Sequence, residues 1–144
     1  MIHVSVQREP IDIGVESERL EIGGAVATFT GLVRADDGVT MLELEHYPGA
    51  TEAALRALCD TAAGRWKLDG VTIVHRVGTM TPSERIVFVG IASAHRGAAL
   101  KACAFLIDRL KTDAPFWKRE TRGTQATWVE PRATDETMAA RWKR

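Results

Sequence analysis

Two stretches of the chain repeat their apolar residues at intervals of three and four, the spacing of one helical face. In the first, Thr51 to Lys67, the stripe is Leu55, Leu58, Cys59, Ala62 and Trp66. Thr51 is the expected N-cap, and Glu52 stands where a carboxylate complements the helix dipole. In the second, Arg96 to Thr112, the stripe is Leu100, Cys103, Ala104, Ile107 and Leu110. Ser93 or Ala94 marks its start, and Pro115 prevents its extension.

Elsewhere the pattern is that of strands. Ala25 to Val33 is rich in β-formers and ends at Arg34. Met41 to Tyr47 alternates, with Leu42, Leu44 and His46 on one side and Glu43, Glu45 and Tyr47 on the other. Val71 to Val77 is a third strand. Ile86 to Ala92 is an unbroken apolar run, the mark of a central strand buried on both faces. Thr81-Pro82-Ser83-Glu84 is the turn between those two. Phe116 to Thr121 and Thr124 to Val129 form a hairpin about Arg122-Gly123.

From Met41 onward the order is strand, helix, strand, strand, helix, strand. That is the ferredoxin-like βαββαβ order, which predicts an α+β fold with a mostly antiparallel sheet and its helices on one face. The strand at Ala25 to Val33 and the terminal segments are additions. The tail, Thr134 to Arg144, is expected to form a short helix.

Length and composition set bounds on this picture. A chain of 144 residues, 45% apolar and 26% charged, suits a single domain over residues 1–144. Lys plus Arg equals Asp plus Glu at 19 each, so no global field draws the chain toward nucleic acid or membrane. Met1 to Arg8 becomes polar too early for a signal peptide, and no apolar run approaches the ~20 residues of a spanning helix. Cys59 and Cys103 form no CxxC pair and no metal-ligand spacing, which fits a cytoplasmic protein without disulfides.

Charge is local instead. Between His95 and Arg122 stand Arg96, Lys101, Arg109, Lys111, Lys118, Arg119 and Arg122 against Asp108, Asp113 and Glu120, a net +4. His95-Arg96 opens the second helix, where free N–H groups and the dipole favour phosphate; two solvated polar residues are the alternative. Lys111 in the last turn borders the buried face. It is either a lysine offsetting the dipole or one held in a cleft as acid, base or nucleophile. Alternation along Phe116-Trp117-Lys118-Arg119-Glu120 puts Phe116, Lys118 and Glu120 on one face and Trp117 and Arg119 on the other. The turn at Asp113-Ala114-Pro115 lets Lys111 and Lys118 face one cleft. Two ammonium groups ~4 Å apart repel by about 4 kcal/mol at an effective dielectric of 20, so an anion between them is favoured. Gly31, in the strand that ends at Arg34, permits close approach. Taken alone, Arg34 reads as a loop charge.

No P-loop, GxGxxG, GxSxG or HExxH pattern is present, and His3, His46 and His75 are isolated, so neither a metal nor an organic cofactor is expected. Cys59 and Cys103 lie on the core stripes of their helices and read as packing residues.

Four blocks make the pattern specific: Ala25 to Arg34, Leu44-Glu45-His46-Tyr47-Pro48-Gly49, Ser93-Ala94-His95-Arg96, and Leu110 to Glu120. In this order and spacing the chain resembles the large, catalytic subunit of molybdopterin synthase, the MoaE family. The likeness runs from about residue 20 to Trp128, and weakly to Arg141-Trp142. The resemblance implies an α/β hammerhead fold, the βαββαβ order with an added β subdomain. It implies a homodimer in which each large subunit binds one small ubiquitin-like sulfur carrier, making a heterotetramer. The carrier's C-terminal Gly-Gly thiocarboxylate enters a cleft and gives sulfur to cyclic pyranopterin monophosphate. The dithiolene of molybdopterin results, a step of molybdenum cofactor biosynthesis. By motif, Lys111 and Lys118 match catalytic lysines. Leu32, Val33 and Arg34 match a substrate-binding strand end, and His95 and Arg96 a phosphate-contacting pair that reaches across the dimer. Arg119 and Glu120 match further pocket residues. Ala35-Asp36-Asp37-Gly38 looks shorter and more acidic than the family's stretch at that rim.

A chain with two packing cysteines must receive its sulfur from outside, as such a mechanism requires. Two rival readings are a ferredoxin-like RNA- or anion-binding module, prompted by Phe116-Trp117-Lys118-Arg119, and a scaffold that holds a carrier tail without chemistry.

Overall fold

The computed structural model describes residues 1–129 and Trp142. Apart from Trp142, the helix expected at Thr134 to Arg144 lies outside the described residues. The elements, in chain order, are β1 (Ile2–Gln7), α1 (Ile13–Glu18), β2 (Ala25–Leu32), β3 (Met41–His46), α2 (Ala50–Arg65), β4 (Gly70–Arg76), β5 (Gly78–Met80), β6 (Arg85–Ser93), α3 (Arg96–Asp113), β7 (Phe116–Arg122) and β8 (Gln125–Val129). A short turn at Asp36–Gly38 links β2 to β3. The class is α+β and the strand order is the expected one. Additions are β1, α1 and β5, which the hydropathy pattern does not mark.

The pairing departs from a single ferredoxin-like sheet. The strands form two four-stranded sheets, ordered β1-β4-β6-β2 and β5-β3-β7-β8. The first and last strands of the expected βαββαβ unit, β3 and β7, pair with each other in the second sheet, away from β4 and β6. The strand at Ala25, expected as an addition, instead runs antiparallel to β6 along its length. Among the described residues only β1 and β4 pair in parallel. The reason lies in length and pattern. β4 and β6 are apolar enough to be covered on both faces, whereas β3 and β7 alternate and keep one polar face in water.

The first sheet carries the main core. Val71, Ile73, Val87, Val89 and Ile91 face α2 and α3, meeting Leu55, Leu58, Cys59, Phe105, Leu106 and Leu110. Val74, Phe88 and Ala92 point the other way, onto Ile11 and Leu20 beside α1. Gly90 admits this second layer: a Cβ there would come 2.3 Å from Leu20 Cδ1. Thus the run at Ile86 to Ala92 is buried on both faces, as its composition predicts.

The helices differ in detail from expectation. Gly49, at φ +87°, occupies the N-cap of α2, and its N–H donates to the Glu52 carboxylate at 2.8 Å. Thr51 lies inside the helix, fully buried. Its hydroxyl donates to the Pro115 carbonyl (3.0 Å) and accepts from the Tyr47 N–H (3.0 Å), tying the start of α2 to the turn after α3. On α3 the buried set is Ala99, Ala102, Cys103, Phe105, Leu106 and Leu110, while Leu100 is 61% exposed. The predicted stripe was rotated. α3 packs on β2, β6 and α2 at once, and small alanines contribute little to a hydropathy stripe.

Candidate active site

A cavity of about 680 Å³ opens at the seam between the two sheets. Several elements build it, among them β6 with Val87 and Val89. The end of β2 supplies Phe29 to Arg34, and α3 supplies Ile107, Leu110, Lys111 and Thr112. From β7 come Phe116, Lys118, Glu120 and Arg122, while Leu42 and Leu44 of β3 and His75 of β4 close the wall.

Local rules place each group. In β2 the register with β6 slips between Gly31 and Leu32, and a bulge of this kind re-aims the residues that follow. A Cβ on Gly31 would meet Val87 Cγ1 at 2.8 Å, so a side chain there would crowd the cavity wall. Val33 is then held by two bonds to the β5–β6 turn: its N–H donates to Glu84 O (2.9 Å) and its carbonyl accepts from Ser83 N (2.8 Å). Arg34 follows, exposed, with Asp36 at 3.9 Å. At the other rim α3 stops because Ala114 takes the extended conformation required before Pro115. The chain enters β7 at once. Pairing β7 with β3 sets Phe116 opposite His46, Lys118 opposite Leu44 and Glu120 opposite Leu42. Period-two alternation then delivers Phe116, Lys118, Glu120 and Arg122 to the cavity.

Electrostatics follow from this placement. Lys111 is exposed at the rim, and Lys118 is half-buried within. Arg122, which sequence patterning placed in the hairpin turn and counted in a basic region, is instead the last residue of β7 and donates to Glu120 (3.0 Å) and to the Asp37 carbonyl (2.9 Å). Arg34, Lys111 and Lys118 line the same cavity, with Asp36 and Asp37 at one edge. His75 is the residue that sequence reading set aside as isolated. It lies on the helix-facing side of β4, the side already marked by Val71 and Ile73, and this parity was a usable signal. Burial pushes its imidazole down to about 4, the Arg76 carbonyl opposes that shift, and the charges of Lys111 and His46 add to it.

Other singled-out residues lie elsewhere in this subunit. Arg119 faces away from the cavity, paired with Glu43 and laid over the Trp128 ring at 5.4 Å. His95 and Arg96 are exposed at the far end of α3, roughly 22 Å from Lys111 at 1.5 Å per residue. His95 is the N-cap, with no side-chain cap bond. The two central strands a ferredoxin-like RNA platform would use, β4 and β6, are covered on both faces, whereas the exposed Trp117 and Trp128 lie on β7 and β8. Among the described residues no three His, Cys, Asp or Glu side chains gather as a metal-holding group. No described helix is long and apolar enough to cross a membrane. Both thiols are buried, and burial raises Cys59 to about 12 and Cys103 to about 11.

An α+β fold with a basic cleft at a sheet seam has the form of an enzyme whose pocket suits an anionic substrate. The MoaE protein family matches residues 6–113. The molybdopterin synthase catalytic subunit of Escherichia coli (strain K12) is 49% identical over 146 residues, covering 96% of this chain and 97% of that protein. The structure of molybdopterin cofactor biosynthesis protein E from Burkholderia multivorans aligns with a TM-score of 0.86 at 47% identity, over 99% of this chain and 97% of that one. One subunit in a complex of subunits 1 and 2 of molybdopterin-converting factor from Helicobacter pylori shares the fold, at TM-score 0.77 and 18% identity, over 90% of this chain and 91% of that one. The chain belongs to the MoaE family, that of the molybdopterin synthase catalytic subunits, sulfurtransferases of molybdenum cofactor biosynthesis.

Proposed function

We propose that the cavity at the sheet seam is where this chain transfers sulfur from the C-terminal thiocarboxylate of a small ubiquitin-like carrier to cyclic pyranopterin monophosphate. The observation that carries this reading is the convergence of Lys111, Lys118 and Arg34, from three separate elements, on one cavity. The thiocarboxylate sulfur is the nucleophile; at each of two side-chain carbons of the pterin a C–S bond replaces a C–O bond, one departing oxygen opening the cyclic phosphate and the other leaving as water. Water then cleaves the acyl–sulfur bond and the carrier leaves as a carboxylate. Lys111, at the mouth, meets the incoming tail and the reacting pterin side chain. Lys118, deeper, assists proton transfer, and Arg34 with the backbone of Leu32 and Val33 holds substrate. Positioning and charge stabilisation supply most of the rate. The buried, high-lying thiols are consistent with sulfur that arrives on a partner.

The carrier assignment draws on the Helicobacter pylori complex of two subunits. Glu120 and Arg122 form one wall of the pocket, and Arg119 braces the same strand from behind through Glu43. His95 and Arg96 contact the substrate phosphate from a second copy of the chain, since one copy cannot bring both ends of α3 to a single ligand. The working assembly is a dimer of this chain with two carriers, in the cytoplasm.

The test is reconstitution with a thiocarboxylated carrier and the cyclic pterin, scored by molybdopterin formed. Lys111→Ala and Lys118→Ala each lower turnover by about 100-fold or more, the scale of a lost acid–base or charge-stabilising group. Near-normal turnover in both rejects these roles. Carrier binding with no turnover in the parent chain would leave a scaffold only.

A further inference from the structure

His75 occupies a position that no step above employs. Its ring is 6% exposed and stacks on Phe116, with centroids 4.0 Å apart and planes at 23°. Nδ1 lies 2.9 Å from the Arg76 carbonyl oxygen. A carbonyl can only accept, so Nδ1 carries the hydrogen and Nε2 is left with a bare lone pair. The ring that carries this lone pair lines the same cavity as Lys111.

The titratable groups that bear on the ring are Lys111 from α3 and His46 from β3, while Lys118 of β7 lines the same cavity. Arg76, next along β4, turns to the other face and is held by Glu84 and the Arg8 carbonyl. Burial together with those charges keeps the imidazole neutral.

We propose that His75 is a positioning residue for sulfur transfer, its Nε2 accepting a hydrogen bond from the Lys111 ammonium and turning that group into the cavity. This rests on the role given to Lys111 above. Lys111 sits on an exposed last turn with a long, flexible stem, so an acceptor in the wall is what fixes its direction. A carboxylate could do so only by cancelling the charge that the anionic substrate needs. A neutral imidazole orients the ammonium and leaves its charge in place. Phe116 and the Arg76 carbonyl hold the ring in one plane and one tautomer.

The experiment compares His75→Phe, His75→Gln and the parent chain, each also in the Lys111→Ala background, using the thiocarboxylated carrier and the cyclic pterin. Phe keeps the stacked ring and removes the acceptor; Gln restores an oxygen near the place of Nε2. His75→Phe should lower kcat about tenfold, the size of one hydrogen bond to a charged group, with KM for the pterin within about twofold. His75→Gln should recover most of that loss. On the residual turnover of Lys111→Ala, His75→Phe should have no further effect. Parental kcat in His75→Phe, no recovery in His75→Gln, or an equal loss with and without Lys111 overturns the proposal. Long-range proton–nitrogen NMR of the parent chain at neutral pH gives a readout besides turnover, and a ring protonated at Nε2 also overturns it. A Lys111→Ala variant that turns over normally instead rejects the assignment of Lys111 itself, whatever the His75 variants do.

Discussion

A neutral, buried histidine makes the fold sensitive to acid. Free imidazole titrates near 6.5, whereas His75 is held to about 4 by burial. Above about 6.5 the ring is neutral in both folded and unfolded chains and adds no pH dependence. As pH falls below that value the unfolded chain takes up a proton that the native ring refuses, so stability declines until about 4 and then levels off. The full loss from this one group is roughly 3 kcal/mol. Urea midpoints at about pH 7 and pH 5 should therefore differ less in His75→Phe than in the parent chain. Equal differences would show that the ring titrates freely. The thiols make a second residue-level prediction. With Cys59 near 12 and Cys103 near 11, neither is a thiolate at pH 8, and a disulfide reagent should label the native chain far more slowly than the urea-unfolded one. Rapid native labelling at either position would contradict their burial.

Between elements, Thr51 couples two parts of the site. It joins the start of α2 to the Pro115 carbonyl, immediately before Phe116. Thr51→Val keeps the shape but leaves the Pro115 carbonyl and the Tyr47 N–H without this partner, at a cost of about 1–3 kcal/mol and a melting temperature lower by several degrees. An unchanged melt would mean that water or a shifted backbone replaces both bonds. The same residue shows what a hydropathy pattern can and cannot reveal. The helix containing Thr51 was legible from Leu55, Leu58, Cys59 and Ala62, all buried. Its cap was not, because Gly49 caps through backbone geometry and Thr51 serves a contact 64 positions away. Leu100 misled for a related reason: a strong apolar residue outweighed Ala99 and Ala102, which are the ones that pack. The hairpin at Gly123 and the alternation of β7 were legible because both are local. The division into two sheets was not, since it depends on pairing β3 with β7 across the whole of α2, β4, β6 and α3. His75 escaped notice because its partners in the site are equally remote in sequence.

At the scale of the whole molecule, α3 is the ruler. Lys111 and the His95-Arg96 pair stand at its two ends, so a substrate touched by both requires two copies of the chain. Arg96→Ala and Lys111→Ala subunits should each be deficient as homodimers, yet regain activity when mixed and allowed to exchange, because one of the two sites in a hybrid dimer draws intact groups from both partners. Failure to regain activity would confine the site to a single subunit.

The seam between the sheets has a consequence for folding as well. Its walls come from β2, β3, β4, β6, α3, β7 and β8, from Phe29 to Val129, so no single element can make it and it closes only when segments far apart in the chain have docked. A molecule part-way to the native state offers nowhere for a labile sulfur donor to discharge its cargo, and catalytic competence should arrive in one step, together with the last docking of the two layers.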